Sequence, residues 1–430
     1  MTDPQAATSA PTPALGSPPG TGPSEAHPQA PVRHRWWLQG LAFVTVLSMF
    51  VLIGIGGHVT STGSGLAVPD WPTTFGYDMI TAPLDVWWHD IGTRVEHAHR
   101  LKGTVVGLLT IALAFALLFY NFPRKWLVWT GFGLLGGVIV QGILGGTRVT
   151  ETSYLLAFFH GVFGQVLFAA TVLIACATGR TWLRLAPRLV EKARQPRWAR
   201  RMRALAIGVI VILVVQLVLG AAVRHAGAGR AIPDFPLSYG QVIPPMSVED
   251  VKATVLAWDE KHPDEPVWKP HNRVDERVTA GEIPPDQAEA ALWPMMQQQI
   301  HLQFTHRVFA YVVVGAILFL VGWLVVRAPG QGELVAPTMW LGVLILLQFL
   351  LGASTVWTER SPVIATAHQA TGAALLAIAT WLAIRVTLVV GQPEEHDRAV
   401  DAASGSSEPA KPATPVGPAP AVPRVKGVSA

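Results

Sequence analysis

Apolar residues in this chain come in long unbroken runs, not in alternation or one-sided stripes. The runs cover 36–57, 98–121, 126–146, 155–178, 204–223, 303–326, 336–354 and 362–390. Each is near or above the ~20 residues that a helix needs to cross a bilayer. Membrane strands alternate and are shorter, so strands are not expected. The pattern predicts an all-α integral membrane protein with eight transmembrane helices. Two polar segments flank it. Residues 1–31 and 392–430 are rich in Pro, Ala, Ser and Gly, bury too little apolar surface to offset ordering, and are expected to be disordered. The first lacks the basic start of a signal peptide and the arginines of a transit peptide, which favours a bacterial plasma (inner) membrane.

The runs repeat as two sets of four. Gly63-Ser64-Gly65-Leu66-Ala67-Val68-Pro69-Asp70-Trp71-Pro72 follows the first run, and Gly227-Ala228-Gly229-Arg230-Ala231-Ile232-Pro233-Asp234-Phe235-Pro236 follows the fifth. Their shared pattern is Gly-small-Gly-x-Ala-aliphatic-Pro-Asp-aromatic-Pro. Gln141 to Gly145 likewise matches Gln348 to Gly352. An even number of spans per half gives both halves the same direction, so they form tandem four-helix bundles related as a parallel pseudo-repeat. The first half is 36–178 and the second 204–390. The loop motif recurs after 164 residues but the later histidines after 207 or 208, so the second half carries about 43 extra residues. They lie within 241–300, a segment with no apolar run.

Charge sets the orientation. Nine Arg and Lys face one acid, Glu191, in the loop 179–203. The positive-inside rule places that loop, and with it both termini, in the cytoplasm. Residues 241–300 then lie outside it. The net charge of +4 is concentrated in this loop and does not suggest nucleic-acid binding. The lone cysteine, Cys176, excludes an intramolecular disulfide and thiolate metal sites and reads as a small core residue.

Candidate chemistry lies in four histidines. His99, His160, His306 and His368 each stand near the start of an apolar run, 61 and 62 residues apart within their pairs. Ionisable residues within spans are costly and usually functional. Two imidazoles at similar depth on parallel helices suit a flat macrocycle with one axial nitrogen on each side of its iron. Gly103, Gly161, Gly164 and Gly372 lie nearby in sequence and would permit close approach. The halves differ at one position. Glu96 precedes His99 by three residues, and Gln303 occupies the equivalent place before His306. A carboxylate takes a proton, offsets developing charge or attacks, whereas an amide only hydrogen-bonds. Arg100 and Arg307 directly follow their histidines, and an arginine on the outer side favours a bound anion such as a heme propionate over topology alone. Two further readings stay open on the residues alone. One is a non-catalytic diheme b-type cytochrome, the other a heme-carrying assembly factor.

Glu96-His97-Ala98-His99-Arg100 resembles the Glu-x-x-His-Arg pattern of the heme A synthase family. His306-Arg307, the partners His160 and His368, the Pro-Asp loop and the duplicated eight-span layout are similar to that family too, over most of 36–390. The resemblance implies an oxidoreductase that turns the C8 methyl of heme O into a formyl, giving heme A for terminal oxidases. It implies His99 and His160, with Arg100, facing the substrate heme. His306 and His368, with Arg307, would hold a heme b cofactor. Glu96 would be the catalytic carboxylate, offsetting charge on a cationic methyl intermediate. The implied partners are heme O as substrate, the lipid bilayer, heme O synthase, the cytochrome oxidase assembly route and an unidentified electron donor or acceptor. Some members carry a cysteine pair in the first outer loop. This chain has none, which excludes a thiol-based step.

Overall fold

The structure, a computed structural model, describes residues 34–121, 123–189, 197–264, 266–267, 273–279, 281–327 and 331–390. The two tails, residues 190–196 of the basic loop, Trp268 and His271 lie outside the described residues.

The elements follow in order as α1 (Trp36–Ser61), α2 (Leu84–Trp87), α3 (Ile91–Asn121), α4 (Lys125–Thr150), α5 (Tyr154–Thr178), α6 (Arg180–Leu185), α7 (Arg197–His225), α8 (Val248–Lys261), α9 (Arg273–Thr279), α10 (Ala288–Arg327), α11 (Gly332–Trp357) and α12 (Pro362–Val390). Eight of them are long and apolar enough to cross a membrane, as the runs predict. No strand occurs among the described residues, only two isolated bridges.

In the first half α1 packs on α3, α3 on α4, α4 on α5 and α5 back on α1. In the second, α7, α10, α11 and α12 follow the same cyclic order. The halves meet where α12 lies against α1 and α5, and α5 against α7. Leu113, Leu117, Phe168 and Ile174 centre one core, and Ala373 of α12 inserts into it. Leu213, Ile317, Leu341 and Leu376 centre the other. Large apolar side chains on the outward faces, such as Phe43, Leu108, Phe119, Ile139, Val211, Phe319 and Leu346, are exposed, as lipid contact requires.

Helix ends depart from the runs, because hydropathy sees only the apolar part of a helix. α3 starts at Ile91, well before 98, and α7 starts at Arg197, inside the predicted basic loop. α10 spans 40 residues, about 60 Å at 1.5 Å per residue and twice the hydrocarbon thickness. Its first part stands out of the membrane and belongs to the segment 241–300. There α8, α9 and the start of α10 form a cap around Val251, Val255, Trp293 and Ile300. The same core takes in Ile232 and Tyr239 from the loop after α7, so the cap is anchored on the second half's own motif.

Candidate functional site

Each site is built on its Pro-Asp loop. Gly63 (φ 71°) and Gly227 (φ 69°) end α1 and α7 in the left-handed conformation that glycine adopts without a Cβ penalty. Asp70 accepts from the amides of Phe75 (2.8 Å) and Gly76 (2.8 Å) and from the Thr73 hydroxyl (2.5 Å). Partial burial raises the Asp70 pKa, but these hydrogen bonds outweigh it and hold the carboxyl below its ordinary value. Asp234 does the same work for Tyr239 (2.6 Å) and Gly240 (2.8 Å). Both loops carry a cis X–Pro bond, at Trp71–Pro72 and Phe235–Pro236.

Side chains from α3 and α10 grip these loops. Glu96 is 2% exposed; its Oε2 accepts from the Val68 amide (2.9 Å) and its Oε1 pairs with Arg100 Nη2 (2.9 Å). Gln303 repeats the first contact, its Oε1 accepting from the Ile232 amide (2.6 Å) while its Nε2 donates to Gly229 O (3.2 Å). Arg100 donates to the carbonyls of Val68 (2.8 Å), Asp70 (2.6 Å) and Thr73 (3.0 Å). Arg307 donates to those of Ile232 (3.0 Å), Asp234 (2.7 Å) and Leu237 (3.1 Å). In this structure the Nη groups of both arginines, expected to face a bound anion, turn to backbone carbonyls and fix the loop.

The histidines meet glycines. A Cβ at Gly56 would lie 2.8 Å from His99 Cε1, and one at Gly145 would lie 2.9 Å from His160 Cε1. Gly220 and Gly352 stand in the same relation to His306 and His368, both at 3.1 Å. Each imidazole thus leans on a neighbouring helix at a point where only a missing side chain leaves room. The glycines singled out from sequence do other things. Gly103 faces open space, Gly161 approaches His225, and Gly164 and Gly372 face Gln141 and Gln348. The informative signal was the repeat itself, since Gly56 and Gly220 share the loop offset and Gly145 and Gly352 share that of the glutamines.

Glutamines orient the rings. Gln141 Nε2 donates to His160 O (2.8 Å), and the backbone carbonyl of Gln141 faces His160 Nδ1 (3.1 Å). Gln216, on α7, lies 3.2 Å from His306 Nδ1 and donates to His306 O (3.2 Å). Gln348 Nε2 lies 3.4 Å from His368 Nε2. Gln216 has no repeat partner of its own type, Leu52 standing at that place, so repeat matching passes over it.

His99 and His160 have ring centroids 6.4 Å apart. Two imidazoles on opposite sides of one metal ion, with nitrogen–metal bonds of about 2 Å, place their centroids about 6 Å apart. His99 Nδ1 and His368 Nδ1 are buried and make no hydrogen bond of good geometry, with the backbone of Leu52 and of Gln348 beside the two rings. Among the described residues no group of three or more His, Cys, Asp or Glu gathers. A donor set of two imidazoles per site fits a macrocycle that supplies its own equatorial nitrogens, and fits a bare ion poorly.

Three neighbours complete the picture. His97 is buried, bonds Thr74 Oγ1 (3.1 Å) and stacks on Trp87 at 4.3 Å between centroids. His225 ends α7 and packs on Phe158 and Gly161 of the first half. Arg224 reaches across the halves to Gly57 O and Ser61 Oγ, and within its own half to Gln369 Oε1. Both Arg224 and Arg148 fall just past the ends of apolar runs, and so escape a search inside them.

A family model described as COX15-CtaA, cytochrome oxidase assembly protein, matches residues 39–380. The chain belongs to this family. It is 27% identical over 398 residues to a protein of Rhodopseudomonas palustris named heme A synthase, covering 82% of this chain and 90% of the relative. A heme A synthase of Caulobacter vibrioides is 25% identical over 80% of this chain and 94% of its own length. One of Shouchella clausii is 31% identical over 51% of this chain and 69% of its own. Family membership covers both halves and both Pro-Asp loops.

Proposed function

We propose that this protein is a membrane heme A synthase, oxidising the C8 methyl of heme O to a formyl in successive steps. The observation that carries the reading is the contrast between two otherwise matched sites. Glu96 and Gln303 accept from equivalent loop amides, yet only Glu96 adds a carboxylate beside the histidines. His99 and His160 hold the substrate heme, and Glu96 is the catalytic group, placed to take a proton or offset positive charge at the macrocycle edge. His306 and His368 hold heme b, which supplies electron transfer when bound. Arg100 and Arg307 serve their sites by pinning the loops. Residues 36–178 and 204–390 act as two bundles with these separate tasks. Both termini and the basic loop face the cytoplasm of a bacterial cell, leaving the cap on the outer side. The product serves cytochrome oxidase assembly, and heme O synthase is the source of substrate.

Producing the protein together with a heme O synthase and extracting the hemes tests this. Heme A, or a hydroxylated heme O on the way to it, is the expected product. Recovery of unmodified heme alone would instead fit a diheme b-type cytochrome or a heme carrier.

A further inference from the structure

Arg148 closes α4 beside the first histidine pair, half-buried. Its Nη2 donates to Gly65 O at 3.2 Å, its one hydrogen bond among the described residues. A guanidinium carries five N–H donors, so most of its capacity is unspent. Arg100, by contrast, is consumed by three carbonyls and Glu96. The charge of Arg148 is within electrostatic reach of His99, His160 and Glu96. Gly65 makes room for it, because a Cβ there would lie 2.7 Å from Nη2.

The second half is built differently at this point. Thr355 stands where the repeat aligns with Arg148. Arg360 does cross the equivalent glycine, Gly229, but with its methylene stem, Cδ lying 2.8 Å from a Cβ there. Arg307 is within electrostatic reach of His306, and Arg224 of His368. Arg148 is partly desolvated, its one hydrogen bond is to a neutral carbonyl, and the carboxylate in its reach, Glu96, is already paired with Arg100, so it has capacity for a further anion. The planar fork of arginine matches a carboxylate in two parallel hydrogen bonds.

We infer that Arg148 binds a propionate carboxylate of the macrocycle held between His99 and His160, and so sets which edge faces Glu96. In heme the C8 methyl is the ring neighbour of a propionate. The other propionate has the C5 methyl as its neighbour, so anchoring the propionate next to C8 beside Glu96 brings the C8 methyl to the carboxylate and turns the opposite edge of the ring away. This assignment rests on the proposed heme function of the first site.

The test is a titration of the purified protein, its second-half heme in place, with ferric protoheme and with protoheme dimethyl ester, followed by absorbance. Esterification removes the carboxylate charges and is expected to weaken first-site binding about tenfold or more, the worth of a charge-assisted pair. In Arg148→Gln the acid form should weaken by a similar factor and the ester should bind no worse than it does to the parent. Arg148→Lys should recover part of the preference. If Arg148→Gln loses its second-half heme, Gly65→Ala, which displaces the guanidinium without removing it, takes its place and should also reduce the preference. An unchanged acid-to-ester ratio in these variants overturns the role of Arg148 while leaving the heme reading standing. A parent protein that takes up no further heme overturns both.

Discussion

Glu96 does two jobs that its neighbours separate. One is structural, because its Oε2 satisfies the buried amide of Val68. The other is the charge itself. Gln303 performs the first job without the second, and Arg307 keeps its loop with no carboxylate at position 303, so the second half is a natural control for a glutamine at position 96. Glu96→Gln should therefore fold and stay close to the parent in stability. Glu96→Ala leaves a buried N–H unpaired and should cost about 1–3 kcal/mol more than Glu96→Gln. Thermal unfolding of the two variants in detergent checks this, and equal melting would show that the Val68 contact is not made. The sequence reveals the Glu96/Gln303 difference directly. It does not reveal that Arg100 and Arg307 turn to the backbone, because that depends on how residues 30 and 73 positions apart come together.

At the scale of elements, four helix contacts repeat one device, an imidazole laid on a glycine of the adjoining helix. Adding a methyl group at these points must push the ring, whereas at Gly142 an added Cβ meets nothing within 4 Å. Gly145→Ala should impair heme A formation while the second-half heme is retained. Gly352→Ala should instead lower the amount of heme that survives purification. Gly142→Ala should change neither, since alanine in a helix is if anything favoured. Pigment spectra and product analysis on the three variants separate these outcomes, and a loss of both properties in all three would refute the contact model. The helices were legible from their apolar runs and the histidines from their spacing. The contacting glycines were visible only as repeat offsets, since any of several nearby glycines satisfies a sequence rule about small residues. Helices reach beyond their apolar runs where polar residues are buried against a loop, as Glu96 and His97 are in α3.

For the whole molecule, duplication supplies two similar cradles, and α1, α5, α7 and α12 pack them together. α12 inserts Ala373 into the first core, and Arg224 ties α7 to α1 and α12. His225 carries the second half up to the helix of His160. None of this follows from hydropathy, which treats each run alone. The cap is legible in the sequence only as an excess of residues, yet its core takes in Ile232, the same residue whose amide Gln303 holds. Cap and second site are thus one packed unit.

The central claim is that one site reacts and the other holds. The direct measurement is the heme content of Glu96→Gln and Gln303→Glu, each produced with a heme O synthase and extracted. The account predicts that Glu96→Gln keeps its second-half heme and yields neither heme A nor a hydroxylated intermediate, while Gln303→Glu still yields heme A. Normal heme A from Glu96→Gln would contradict it.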